Sequence, residues 1–174
     1  SRPRPGIQAL IENISNEILT LTDLNFIVAP RINAAGRMKH GAYAVNILRE
    51  KNIEKAKVAA ESIELFNSNR QKLDQKITQE ALLQIENANE LNNESTIVYD
   101  PLWNKGVIGI VASRLIETYY RPTLVFTKSG DFLTASARSV KGYDIYEALQ
   151  NCSQFIEQFG GHKYAAGLLS LIHI

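Results

Sequence analysis

Between Ile53 and Leu91 apolar residues recur at three- and four-residue steps. Ala56, Ala59, Ile63, Phe66, Leu73, Ile77, Ala81, Ile85 and Ala88 form one stripe, interrupted by Arg70. No glycine or proline breaks the stretch, so the pattern predicts a single helix, roughly 60 Å long at 1.5 Å per residue. A compact domain has no need of such length. A helix of this kind connects two bodies or packs in a coiled coil. Asn92 and Asn93 mark its expected end.

Ahead of this helix the pattern is shorter-ranged. SRPRPG is an extended Pro/Arg piece, after which Ile7, Leu10, Ile11 and Ile14 fall at helical spacing. Thr22 or Asp23 is placed to cap a short turn. Pro30 should block a helix from running through, with helix resuming from Ala42 to Arg49. Beyond the long helix the period changes. Residues 95–100 (STIVYD) read as a strand, 106–120 as a buried helix, and 122–128 (PTLVFTK) as a second strand. Ser129, Gly130 and Asp131 form a tight turn into a third strand, FLTASARS. Residues 142–159 then read as an amphipathic helix with Ile145, Ala148, Leu149, Cys152, Phe155, Ile156 and Phe159 on one face. The expected fold is α/β: a long helix that connects two bodies or packs in a coiled coil, then, from a boundary near residue 94, an α/β module.

Composition narrows little further. The chain has 174 residues, 45% of them hydrophobic, enough for one sizeable core. Its net charge of +1 is not the basic footprint of a typical nucleic-acid binder, so any such function must rest on local constellations. A single cysteine, Cys152, excludes an internal disulfide and fits a reducing compartment. The apolar runs fall far short of a membrane span. The start at Ser1 and the closing LSLIHI read as the ends of a fragment.

Four short stretches have chemical promise. In APRINAAGRMKHG, Arg31 and Arg37 flank the small residues Ala34, Ala35 and Gly36. Small residues admit a ligand close to the backbone, and guanidinium forks suit phosphate. A tight crossing against another domain, with solvated arginines, is the better explanation from spacing alone. In LWNKGVIGIVASRL, Gly106 and Gly109 open a helix after a strand, which suits either an anion or close helix–strand packing. Trp103 there reads as a wall of the core or of an interface rather than as a stacking platform. In TASARSVKGYD, Arg138 closes a strand between Ser136 and Ser139, placed for phosphate or as a charge that protects an edge. In FGGHKYAAG, Gly160 reads as a left-handed helix cap, and His162 as either a solvated cap or a site residue. His40, His162 and His173 show no paired ligand spacing, and HxxxH, CxxC and clustered DxD are absent. No Ser/His/Asp arrangement stands out.

In this order, APRINAAGR, GVIGIVASRL, SARSVKG and FGGHKYAAG resemble the signature segments of the RecJ family, single-stranded-DNA-specific exonucleases of the DHH phosphoesterase superfamily. The resemblance runs along nearly the whole chain. RPRPGIQALIE resembles the exit from the catalytic domain, FNSNRQKLDQKI part of the connecting helix, and residues 95–170 the DHH-associated domain. The organisation this implies is an exit from the catalytic DHH domain and interdomain segment at 1–52, a long connecting helix at 53–93, and a mixed-sheet α/β DHH-associated domain at 94–174, truncated at its C-terminus. It implies a protein that degrades single-stranded DNA from the 5′ end in DNA repair and recombination, using Mn²⁺ or Mg²⁺ held in a DHH domain. No DHH triplet occurs here, so no metal ligand is assigned to this chain, which alone should be inactive. Its partners would be single-stranded DNA and the missing DHH domain, in the cytoplasm and with no membrane.

By the same resemblance, Arg31 and Arg37 would contact phosphate at an interdomain cleft, and Arg138 and Ser139 the strand backbone. Gly160, Gly161 and His162 match the family's glycine-histidine motif, with His162 the catalytic candidate and Lys163 a further substrate contact. Asn104 stands where many relatives have histidine; it cannot take up a proton and has no acid/base role. After Leu169 the likeness is lost. A DHH-family phosphodiesterase of oligonucleotides or cyclic dinucleotides, and a non-catalytic scaffold of the same architecture, remain alternatives.

Overall fold

The computed structural model describes residues 3–12, 14 and 19–171. It divides into two compact units, Ser1–Lys72 and Leu73–Ile174, with the division inside the long helix.

The first unit is helical. Helix α1 (Pro5–Ile11) begins on a proline, whose missing N–H costs nothing in the first turn. Gly6 meets α4 (Ala42–Arg49) so closely that a Cβ would lie 1.8 Å from the Ile47 carbonyl oxygen. Thr20, rather than Thr22 or Asp23, caps α2 (Leu21–Asp23): its hydroxyl accepts from the Asp23 N–H, and the Asp23 carboxylate accepts from the Thr20 N–H. A π-helical turn (Leu24–Val28) then leads into α3 (Ala29–Met38).

The expectation that Pro30 interrupts the helix is overturned here. Pro30 sits in the first turn of α3, where no donor is demanded of it, and the Ala29 N–H reaches back to the Leu24 carbonyl across the wider turn. APRINAAGR is therefore helix. Ala34 and Ala35 are fully buried, and Leu10, Val28, Ala35, Ile47 and Ile63 form the core of this unit.

Helix α5 (Ile53–Asn87) bears out the long apolar stripe. It stops a few residues before Asn92: Asn89 takes a left-handed conformation (φ 55°), and the Glu90 N–H bonds to the Ile85 carbonyl at 3.1 Å. This is a Schellman stop built on asparagine. The division into units follows from burial, because Ala56 and Ile63 are buried in the first unit while Ile77, Ala81 and Ile85 are buried in the second.

The second unit is a five-stranded mixed sheet in the order β1-β2-β3-β5-β4. Strand β1 (Thr96–Tyr99) runs parallel to β2 (Thr123–Ser129), joined through α6 (Ile108–Tyr119). A two-residue turn with Gly130 at φ 65° leads into β3 (Phe132–Arg138), antiparallel to β2. Helix α7 (Ile145–Asn151), capped by the Asp144 carboxylate, precedes a single 3₁₀ turn (Ser153–Phe155). The chain closes with the hairpin of β4 (Gln158–His162) and β5 (Ala165–Leu171).

This last element corrects the sequence reading. The amphipathic helix ends at Asn151 instead of Phe159, and FGGH is strand, so Gly160 is no helix cap. Pairing with β5, a partner outside the local pattern, decides the conformation. The face carrying Ala135, Ala137, Ala166 and Leu168 packs against Ile145 and Leu149 of α7. Cys152 and Phe155, placed by periodicity on the buried face, are exposed.

Several side chains fasten the α5 end of this unit to the sheet. Asp74, fully buried, pairs with Arg114 of α6 at 2.6 Å. The Trp103 indole N–H donates to Glu80 at 2.9 Å, and the ring is a wall of the core as expected. The Gln84 carboxamide pairs with both backbone groups of Tyr99, donating to its carbonyl and accepting from its N–H, each at 3.0 Å. Buried Arg121 donates to the carbonyls of Glu90, Leu91 and Asn93 and to the Thr96 hydroxyl.

Candidate nucleic-acid interface

Strand register assembles the site. Arg138, the last residue of β3, pairs with Ala165 of β5, and Ala165 pairs with His162, the last residue of β4. Directly paired residues share a face, so Arg138, Ala165 and His162 form one row. The next row on that face is Ser136, Gly167 and Gly160, and the one after is Thr134, Leu169 and Gln158.

Helix α6 covers only part of this face. Its Gly109 lies against β3, where a Cβ would stand 2.9 Å from Ser136 Oγ and 3.0 Å from an Arg138 guanidinium nitrogen. Close packing therefore accounts for Gly109. The Gly106 N–H is taken by the Asn104 carboxamide oxygen at 2.8 Å, which makes Asn104 a turn residue. Arg138 donates to Ser136 Oγ at 3.2 Å and to the Ala137 carbonyl at 2.8 Å, so its fork lies along the rim of the uncovered area.

Beyond α6 the sheet is open. Gly160 and Gly167 are exposed and pair across β4 and β5, flooring a groove of about 320 Å³ bounded also by Thr134, Gln158 and Leu169. A Cβ at Gly160 would meet nothing, whereas Gly161 takes φ 151° and a Cβ there would lie 2.3 Å from the Ala165 carbonyl oxygen. The adjacent glycines thus do different work. Gly161 allows the close strand approach that forms the hairpin end; Gly160 keeps the floor flat.

His162 is exposed, and its Nδ1 accepts from the Tyr164 N–H at 3.3 Å. In the neutral imidazole this fixes the proton on Nε2, leaving a donor directed away from the turn. The turn itself is held from below. The Ser139 N–H donates to the Tyr164 carbonyl at 2.9 Å, the Ile145 N–H to the Lys163 carbonyl at 3.1 Å, and the Ser139 hydroxyl to the Tyr143 carbonyl at 2.9 Å. Ser139 serves as a clamp on the hairpin, a role its sequence neighbourhood did not reveal.

Arg138, Ser139, Gly160, Gly161, His162 and Lys163 therefore gather at one end of one sheet. Arg31 and Arg37 belong to α3 in the other unit. Arg31 donates to the Leu10 carbonyl at 2.8 Å and pairs with Glu64, beside a cavity of about 660 Å³ also lined by Glu12 and Lys57. Glu12 pairs with Lys57 at 2.7 Å and raises its ammonium pKa above the usual lysine value. Arg37 is exposed. Among the described residues no group of three or more His, Cys, Asp or Glu side chains is arranged to hold a metal ion, and no helix is long and apolar enough to cross a membrane. His173 lies outside the described residues. The described residues do not fit a metal centre.

A DHHA1 domain model matches residues 92–169, the segment that holds the whole sheet apart from its last two residues. Over 95% of its length the chain is 38% identical to the single-stranded-DNA-specific exonuclease RecJ of Salmonella typhimurium and 35% identical to RecJ of Bacillus subtilis. Residues 92–169 are therefore similar to a DHHA1 domain, and the chain as a whole is RecJ-like. A crystal structure of RecJ from Thermus thermophilus in complex with Mn²⁺ superposes with a TM-score of 0.86 over 95% of this RecJ-like chain, at 28% identity. A structure of exonuclease RecJ bound to manganese gives 0.83 over 97% at 27% identity. The match is partial on the other side. The RecJ-like chain spans 30% of the Salmonella protein, 21% of the Bacillus protein, and 24% and 41% of the two solved chains.

Proposed function

We propose that this chain is the substrate-binding part of a RecJ-type 5′→3′ single-stranded-DNA exonuclease that acts in DNA repair and recombination in the cytoplasm. The observation that carries the reading is the likeness to RecJ proteins along 95% of the chain, with the Arg138–His162 row inside the matched domain. Mn²⁺ or Mg²⁺ in a DHH domain of the same protein would activate water and stabilise the leaving oxygen.

The residues of this chain hold the strand. A phosphodiester laid across the open face meets the Arg138 guanidinium, whose planar fork suits phosphate oxygens. Gly160 and Gly167 let the sugar–phosphate backbone approach the sheet with no side chain in the way. His162, with Nε2–H as donor, hydrogen-bonds the phosphate under attack and stabilises charge as it develops there. Gly161 and Ser139 hold that imidazole in place through the hairpin, and Lys163 adds a nearby positive charge. Arg31 and Arg37 contribute phosphate contacts at the cleft between this part and the DHH domain.

The test compares this chain with the full-length protein. The full-length protein should degrade single-stranded DNA from the 5′ end with Mn²⁺, and the pure chain alone should not. Reproducible Mn²⁺-dependent degradation by the chain alone would overturn the assignment. A full-length protein that binds DNA but never cleaves it would point to a scaffold.

A further inference from the structure

Next to the His162 end of the row lies a smaller cavity, of about 210 Å³. Two segments line it: Gly142, Tyr143 and Asp144 from the loop before α7, and Lys163 and Tyr164 from the β4–β5 turn. Tyr143 and Tyr164 are 46% and 43% exposed, although each carries a ring that the core of this unit would accept. The backbone beneath them is fixed, since Ser139 bonds to both tyrosine carbonyls and Ile145 to the lysine carbonyl between the two segments. These rings are exposed on a rigid support.

The charges nearby select what can enter. The Lys163 ammonium stands 4.8 Å from the centre of the Tyr164 ring, and the His162 ring meets that tyrosine edge-to-face at 6.5 Å. Asp144 spends one carboxylate oxygen on the N–H groups of Tyr146 and Glu147 and presents negative charge to the cavity. Asp144 and Lys163 put opposite charges on the cavity wall, so a phosphate gains no net attraction there, whereas a neutral planar ring can stack on the tyrosines. Aromatic side chains beside a positively charged backbone track are the means by which single strands are held without sequence preference. We propose that Tyr143 and Tyr164 form a base-stacking subsite for single-stranded nucleic acid, taking the nucleobase next to the phosphate at Arg138 and His162. The subsite rests on the reading of this face as a strand-binding surface, and it supplies grip that survives salt, which phosphate contacts do not.

The test uses the full-length protein and a phosphorothioate oligothymidylate that resists cleavage, with binding followed by fluorescence anisotropy. Tyr143→Ala and Tyr164→Ala should each weaken binding about 5- to 100-fold, with the salt dependence of the wild type. Tyr164→Trp should keep the affinity, and its added emission should be quenched by the strand. An oligonucleotide abasic at the facing position should bind wild type and alanine variants alike. If an alanine variant fails to fold, Tyr143→Leu keeps the apolar bulk without the ring and should show the same loss. Equal losses on intact and abasic strands, or no loss at all, overturn the subsite. Should Arg138→Ala also leave binding unchanged, the reading of the whole face falls with it; should Arg138→Ala weaken binding alone, only the subsite falls.

Discussion

Arg138 and His162 stand in one row of the sheet, two strands apart, with Ala165 between them. Strand spacing places their backbones roughly 10 Å apart. Ala165 is too small to block the space, so a guanidinium and an imidazole face the same side across an open floor. The roles proposed for them differ, and so do the experiments that separate them.

His162→Ala in the full-length protein is expected to lower turnover far more than DNA affinity, because a hydrogen bond that strengthens with developing charge matters most in the transition state. A loss of one oxyanion-type donor is worth about 100- to 1,000-fold in kcat. Single-turnover rates and equilibrium binding should be measured together. Equal losses in both would make His162 an ordinary binding contact.

Arg138→Ala should weaken binding and flatten its salt dependence by about one unit of log K against log salt, as one phosphate contact disappears. Arg138→Lys should restore the slope but not all the affinity, since an ammonium lacks the planar fork. A slope that stays at the wild-type value would return Arg138 to the packing of Ser136 and Gly109.

The neighbouring glycines predict opposite phenotypes. Gly161→Ala forces a side chain into φ 151° and against the Ala165 carbonyl, and should cost about 1–3 kcal/mol of stability. Gly160→Ala meets no atom within 4 Å and should melt like the wild type while binding DNA less well. Thermal melting and anisotropy on both variants settle the matter; a destabilised Gly160→Ala would show that the floor is not open.

Arg121→Met should destabilise the second unit by about 2–3 kcal/mol, because three carbonyls and the buried Thr96 hydroxyl lose a donor that was charged. Arg121→Lys should recover only part of this. Denaturant melts of this chain provide the measurement, and an unchanged midpoint would mean that water replaces the guanidinium at no cost.

Much of the fold was visible in the sequence because local periodicity matched the final burial. The stripe from Ala56 to Ile85 became α5, and STIVYD, PTLVFTK and FLTASARS became β1, β2 and β3. The misreadings share a cause. Whether Pro30 breaks a helix depends on whether the turn before it can widen, and nothing in the sequence announces a π turn. Whether QFGGH is helix end or strand depends on β5 arriving beside it, a non-local pairing that outweighs the poor strand propensity of two glycines. The candidate site can be read in the sequence as types and order, Arg138 followed by Gly160, Gly161 and His162. Their convergence cannot, because it is written in register: Arg138 opposite Ala165, Ala165 opposite His162.

The Gln84 carboxamide has a further consequence at the opposite border of the sheet. Strand β1 is an edge, and an edge offers its outward backbone groups to any passing chain. Gln84 occupies the pair on Tyr99 as a short imitation strand would, with one donor and one acceptor in place. Through this pair Gln84 would guard the edge against self-association. Gln84→Ala should leave the fold intact and make the protein prone to assemble through β1, visible as a concentration-dependent rise in mass by light scattering. A variant that stays monodisperse would show that the edge needs no such guard.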